Sequence, residues 1–226
     1  MEEGQGEGLN YPAIPAFPVF LNLAGRVVVV VGGGKVGSRK AAAALAAGAS
    51  VRVIDPTPAP LPIAHLPDSS EVVHVAESYR SDHLDGACLV FAAATPEVNS
   101  RVVADANIRG IWVNSATDPA AGDFILPSVI RSANLTVATS TAGAAPALAR
   151  RVREKLEAEF DAAFAEWVQV LGEVRTVVLA VVADPVIRRE LLDGFADWPW
   201  LTRLRAEGTA SVRTAMLEIV STRGRV

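Results

Sequence analysis

An α/β fold built around a parallel sheet is predicted by three features of the sequence. A five-valine run stops at glycines, further β-branched runs alternate with Ala-rich helical stretches, and the grammar changes after Asp118-Pro119. Val27 to Val31 is continuously apolar, as a strand covered on both faces requires. Ser38 to Ala47 follows as a helix that Gly48 stops. Val51 to Ile54 makes a second strand closed by Asp55-Pro56, Glu71 to Val75 a third, and Ala87 to Ala92 a fourth. Pro96 to Arg109 reads as a helix ended by Gly110, and Ile111 to Val113 as the fifth strand. Such alternation implies right-handed crossovers between parallel strands. Beyond it, Phe124 to Ile130 and Leu135 to Thr139 are two strands about a turn at Arg131 to Asn134, an antiparallel hairpin. From residue 147 the chain reads as helical, with Leu148, Val152, Leu156 and Phe160 along one helix face. Asp184-Pro185 and Asp197-Trp198-Pro199 break the later helices.

Bulk composition narrows the function classes. Half of the 226 residues are apolar and only 20% are charged, which argues against a disordered chain. A net charge of −4 with no basic stripe argues against a nucleic-acid partner. The one cysteine, Cys88, excludes an internal disulfide and a thiolate zinc cage, and its apolar neighbours make it a core residue. No apolar stretch reaches the ~20 residues that span a bilayer, so no membrane association is expected. The start has no basic segment leading into an apolar one, and a cytoplasmic location is the expectation.

The glycines that end the first strand carry the chemistry. Gly32-Gly33-Gly34-Lys35-Val36-Gly37 is a GxGxxG loop between a buried strand and a helix, and Asp55 follows 18 positions after Gly37. In a Rossmann domain Gly32 serves the tight turn, Gly34 the close approach to a pyrophosphate, and Gly37 the packing of helix on strand. The helix N-terminus beyond offers unpaired N–H groups to phosphates. Asp55, ending the second strand, suits the ribose hydroxyls and repels a 2′-phosphate, so NAD is expected over NADP. The simpler alternative is a tight glycine turn with Asp55 capping the loop before Pro56.

Four motifs stand in one order: Phe17 to Leu23, the loop Gly32 to Ala41, Phe124-Ile125-Leu126-Pro127-Ser128, and Pro146-Ala147-Leu148-Ala149-Arg150. Together they resemble the precorrin-2 dehydrogenase family, the module also found at the N-terminus of sirohaem synthase. The resemblance covers roughly residues 14–160 and fades through the helical tail. It implies an enzyme that oxidises precorrin-2 to sirohydrochlorin with NAD, and in some relatives also inserts Fe²⁺. It implies a homodimer with precorrin-2 and sirohydrochlorin as ligands. The corresponding layout is a flexible tail (1–14), a Rossmann NAD-binding domain with a parallel sheet (15–119), a small α+β dimerisation segment (120–150) and a C-terminal helical domain (151–226). By the same resemblance the dinucleotide contacts fall on Lys35, Val36, Pro56 and Thr57.

One departure bears on catalysis. The family's aspartate lies three residues after an Asn and two before a Pro; in Asn114-Ser115-Ala116-Thr117-Asp118-Pro119 that position is Thr117, with Asp118 next to it. An unaided hydroxyl is no general base at neutral pH. Three readings stay open: Asp118 takes the role, the reaction needs no side-chain base, or the chain binds its ligands without turnover. Asp118 also fits a plain turn before Pro119.

A carboxylate-rich tetrapyrrole calls for cations and backbone donors. Ser140, Thr141 and Gly143 precede the helix that carries Arg150, and with Asn114 they form the candidate substrate contacts. The alternative is an ordinary helix start with solvated arginines. Arg39 and Lys40, on the cofactor helix, read as a solvated face, the alternative being contact with a phosphate or with a partner subunit. His65, His74 and His83 fall in separate elements without ligand spacing, so no metal site is expected. Trp198-Pro199-Trp200 reads as the packing of a helix corner, the alternative being a shield over part of a binding cleft.

Overall fold

The structure is a computed structural model that describes residues 17–57 and 72–223. The tail at 1–14, His65 and the start of the third predicted strand at Glu71 lie outside the described residues. The chain divides between Leu126 and Pro127 into two compact units.

The first unit is a doubly wound sheet. Its strands are β1 (Val27–Val31), β2 (Ser50–Ile54), β3 (Val72–Val75), β4 (Ala87–Ala92) and β5 (Trp112–Ser115), all parallel in the order β3-β2-β1-β4-β5. Because side chains alternate along a strand, the β1 valines serve both faces. Val28 and Val30 pack with Ala41 and Ala44 of α1 (Lys35–Leu45), whereas Val29 and Val31 pack with Val102 and Ala106 of α2 (Pro96–Arg109). That double burial is why β1 has no polar residue. Cys88 is only partly buried, against the α1-side cluster.

Helix α2 has the expected bounds. The Thr95 side chain accepts from Val98 N–H, Pro96 opens the first turn, and Gly110 closes it at φ +66°. Helix α1 instead starts at Lys35, three residues before the expected Ser38, because Gly34 itself is its N-cap. Strand β5 extends to Ser115, which draws Asn114 and Ser115 into the buried end of the sheet.

The second unit opens with the hairpin β6 (Ser128–Ser132) and β7 (Leu135–Thr139), paired Ser128 with Thr139 through Ser132 with Leu135. The first hairpin strand therefore begins at Ser128 and not at Phe124. Pro127 has no N–H for a ladder, and the Phe124 ring lies edge-on to Phe91 of the first unit's sheet, 5.7 Å away. The turn contracts to Ala133 and Asn134, with Ala133 at φ +48°. Helix α3 (Pro146–Glu159) has Val152 and Leu156 half-buried but Leu148 exposed, so its apolar face is narrower than the four-residue spacing implies.

Four helices complete this unit: α4 (Ala162–Val181), α5 (Pro185–Phe195), α6 (Trp198–Glu207) and α7 (Thr209–Arg223). Asp161 and Asp184 cap α4 and α5, accepting from Phe164 N–H (2.9 Å) and Val186 N–H (2.7 Å). Their core joins Val170, Val174 and Val178 of α4 to Leu191, Leu201, Val212 and Met216. Trp198 packs against Phe164 and Trp167, and Trp200 against Phe195, at the α5–α6 corner.

Candidate functional site

In a parallel sheet the strand ends that carry the next loops form the ligand crevice, at the point where strand order reverses. Here that point lies between β1 and β4. Two glycines after β1 are steric necessities. Gly32 has φ +103°, and a Cβ there would lie 2.4 Å from Ala93 O; a Cβ on Gly37 would lie 1.8 Å from Gly32 O. The first turn of α1 thus rests directly on the loop, and the loop on the segment after β4. Gly34, by contrast, faces open space.

The N-terminus of α1 has no side-chain cap and no acidic residue in its first turn. Its leading N–H groups and partial positive charge are left for an anion. Ser38 Oγ donates to Gly33 O (2.9 Å) from a buried position and steadies the loop from beneath. Asp55 sits beside it: Oδ2 accepts from Gly33 N–H (2.5 Å) and Oδ1 from Thr57 N–H (2.7 Å). The carboxylate that the sequence assigns to a ribose therefore also ties the glycine loop to the end of β2. Lys35, Val36, Pro56 and Thr57 are all exposed around it. These residues fit a dinucleotide: an open glycine, an uncapped helix start and a carboxylate at one edge.

The loops after β4 and β5 adjoin this edge. Ala93 N–H donates to Val31 O (2.8 Å) and Ala116 N–H to Ala92 O (2.9 Å). Asn99, at 1% exposure, accepts from Ala94 N–H (2.9 Å) and donates Nδ2 to Ala94 O (3.2 Å) and to Thr117 Oγ1 (3.0 Å). Thr117 itself is exposed. Asp118 is exposed and caps the short turn Pro119–Ala121, its Oδ1 accepting from Ala120 N–H (3.1 Å), while its own N–H donates to Ser115 Oγ (3.1 Å). Its other carboxylate oxygen has no partner among the described residues.

Lys40 corrects the sequence reading. It is not a solvated residue: its ammonium donates to Asn114 Oδ1 and lies 4.9 Å from the centre of the Phe91 ring. Asn114, buried, donates Nδ2 to Phe124 O (2.8 Å). Desolvation, then the neighbouring Arg39 charge, lowers the Lys40 pKa. Sequence reasoning missed Ser38, Lys40 and Asn99. Lys40 has no local signal, since Asn114 lies across the fold, whereas Ser38 and Asn99 each bond a backbone group five residues back, Gly33 O and Ala94, a spacing that the residue types alone do not single out.

Ser140, Thr141, Gly143 and Arg150 lie in the second unit. Ser140 Oγ accepts from Ala142 N–H (3.0 Å) and Thr141 Oγ1 from Ala145 N–H (3.1 Å), a tight turn with Ala142 at φ +51° and Gly143 at φ +86°. Arg150 is exposed and pairs with Glu154 at 3.7 Å. His74 is exposed, whereas His83 is buried and accepts from Arg80 N–H at Nδ1 (3.2 Å). Among the described residues no three His, Cys, Asp or Glu side chains gather as a metal site. No helix there is long and apolar enough to cross a membrane.

Residues 19–128 match a family model described as putative NAD(P)-binding, and residues 134–159 match the sirohaem biosynthesis protein central model. Among similar proteins, a sirohaem synthase of Chromobacterium violaceum is 35% identical over 92% of this chain and 44% of its own length. One of Nitrosomonas eutropha is 40% identical over 91% of this chain and 43% of its own. The chain thus spans less than half of these relatives. The solved structure named SirC, precorrin-2 dehydrogenase, shares the fold, with a TM-score of 0.77 and 24% identity over 92% of this chain and all of that one. A glycine loop at the switch point, two family matches in sequence order and identities of 35% and 40% to sirohaem synthases over 92% and 91% of the chain agree: this chain belongs to the sirohaem biosynthesis family in which a putative NAD(P)-binding part precedes the central part.

Proposed function

We propose that the chain oxidises precorrin-2 to sirohydrochlorin with NAD. The observation that carries this reading is the uncapped start of α1 above a glycine loop tied to Asp55, in a chain of this family. Bound there, NAD supplies a two-electron acceptor for hydride, and the second hydrogen of the substrate leaves as a proton. The N–H groups of Lys35, Val36 and Gly37 meet the diphosphate, with Gly32 and Gly34 shaping the approach. Asp55, flanked by Pro56 and Thr57, holds the ribose and favours NAD over NADP.

Asp118 takes the proton through the oxygen that capping leaves free, beside Thr117. Ser140, Thr141, Gly143 and Arg150 hold substrate carboxylates, whereas Asn114, expected among them, is buried and bonded to Lys40 and to Phe124 O. The segment 120–150 forms the contact of a homodimer, residues 151–226 form the helical domain, and the enzyme works in the cytoplasm. A second reading, a binding module without turnover, draws on the Thr117 hydroxyl already held by Asn99 and the Asp118 carboxylate already engaged as a cap.

Purified protein incubated with precorrin-2 and NAD, followed by absorbance, separates the two. NADH appearing with sirohydrochlorin supports the enzyme; both ligands bound with no NADH overturns it. Fe²⁺ added afterwards reads iron insertion as a separate step. Asp118→Asn is expected to lower turnover at least tenfold, and full activity in both Asp118→Asn and Thr117→Ala excludes a side-chain base here.

A further inference from the structure

We infer that Thr117 is a hydrogen-bond donor to an oxygen of the bound ligand, and that Asn99 is the positioning residue that turns its hydroxyl outward. This rests on the proposed function for the identity of the ligands.

The polarity of the network follows from its one unambiguous member. Ala94 N–H can only donate, so the Asn99 atom 2.9 Å from it is the carbonyl oxygen. The other end of the side chain is then the NH₂ group, which faces Ala94 O at 3.2 Å and Thr117 Oγ1 at 3.0 Å. Both of its hydrogens are used. Thr117 must therefore accept, and its own hydrogen points elsewhere. No acceptor among the described residues takes it.

Burial makes this arrangement rigid. Asn99 is 1% exposed, and rotating its amide by half a turn would set N–H against N–H and oxygen against oxygen. Thr117 is exposed, so its free hydrogen faces a space a ligand can enter.

The same contacts run back to the glycine loop. Gly32 abuts Ala93, the next residue, Ala94, is bonded to Asn99, and Asn99 holds Thr117. Where the family pattern has an acid, this chain offers an oriented donor. A hydroxyl that already accepts from an amide and donates to no carboxylate among the described residues suits recognition and not proton abstraction. Its target is an sp² oxygen, either a precorrin-2 carboxylate or the nicotinamide carboxamide.

The test measures dissociation constants for NAD and for precorrin-2 separately, by tryptophan fluorescence quenching, in the whole protein, with kcat as a further readout. Thr117→Val, at an exposed position, is expected to weaken one of the two by about tenfold, the size of one lost hydrogen bond to a charged or strongly polar group. Which of the two weakens identifies the oxygen. Thr117→Ser is expected to restore it. Asn99→Asp keeps the acceptor for Ala94 N–H but offers Thr117 an acceptor in place of a donor, so the hydroxyl hydrogen turns inward; because it also sets an oxygen against Ala94 O, its fold is checked by circular dichroism before the constants are read. That variant is expected to match Thr117→Val although it retains the hydroxyl, and the double variant to lose no more. Thr117→Val with both constants within twofold of wild type overturns the inference, as does a serine that fails to rescue. A wild-type protein that binds both ligands without forming NADH defeats the enzymatic reading, while the two constants still decide the role of Thr117.

Discussion

Two glycines of one loop differ in what a single methyl would do. At Gly37 the added carbon would lie 1.8 Å from Gly32 O, a backbone atom with nowhere to go, whereas at Gly34 it would meet nothing within 4 Å. Gly37→Ala is therefore expected to destabilise the protein by roughly 1–3 kcal/mol, as overpacking does, and to weaken NAD binding by pushing helix from loop. Gly34→Ala is expected to leave the unfolding midpoint nearly unchanged and still weaken NAD, because the methyl would occupy the proposed approach of the diphosphate. Denaturant unfolding beside NAD titration reads both, and equal stability losses in the two would show that the loop geometry is misassigned. Asp55 acts through the same loop. Since its carboxylate accepts from Gly33 N–H and is the proposed ribose contact, Asp55→Ala is expected to weaken NAD and to narrow its advantage over NADP. Unchanged affinity for both cofactors would remove Asp55 from the site.

Lys40 shows how an element is fastened. Helix α1 is held to the end of β5 by the Lys40–Asn114 bond, and Asn114 in turn grips Phe124 O. Lys40→Met keeps the apolar stem but strands the buried Asn114 oxygen, at a cost of about 1–3 kcal/mol. The pH dependence has a definite sign. With its folded pKa below the ordinary 10.5, Lys40 releases its proton in the native state before it does so unfolded. The unfolded state then holds more protons, and stability from this group rises with pH between the lowered value and 10.5. Relative to Lys40→Met, the wild type is expected to gain in denaturant midpoint across that alkaline window; a flat difference would mean that burial does not perturb the amine.

Helix α2, with chemical punctuation at both ends, is legible in the sequence, as are β4 and β7 from their apolar runs, whereas α1 and β6 are displaced. Thr95, Pro96 and Gly110 bracket α2, so its bounds can be read directly. The start of α1 has no Ser, Thr, Asp or Asn cap, and β6 is delayed by a proline that packing had to accommodate. In the site, the glycine loop and Asp55 were readable because their spacing is local. The Lys40–Asn114 bond, across 74 residues, and the Asn99–Thr117 bond, across 18, exist only after the sheet has formed.

At the scale of the molecule, each compact unit has its own apolar cluster: alternating β1 valines divide one between two faces, and α4 to α7 gather the other. Met216 is fully buried in the helical cluster, among residues that all follow Pro127. Truncation to Ala removes packed methylenes and leaves a cavity, which is expected to cost about 2–5 kcal/mol. The cofactor loop, Asp55 and the Asn99 network belong wholly to the first unit. Met216→Ala is therefore expected to lower the unfolding midpoint markedly while NAD affinity, measured well below that midpoint, stays within about twofold of wild type. Loss of NAD binding in step with stability would show that the helical cluster sets the geometry of the glycine loop, and the two units could no longer be treated as separate folding and binding entities.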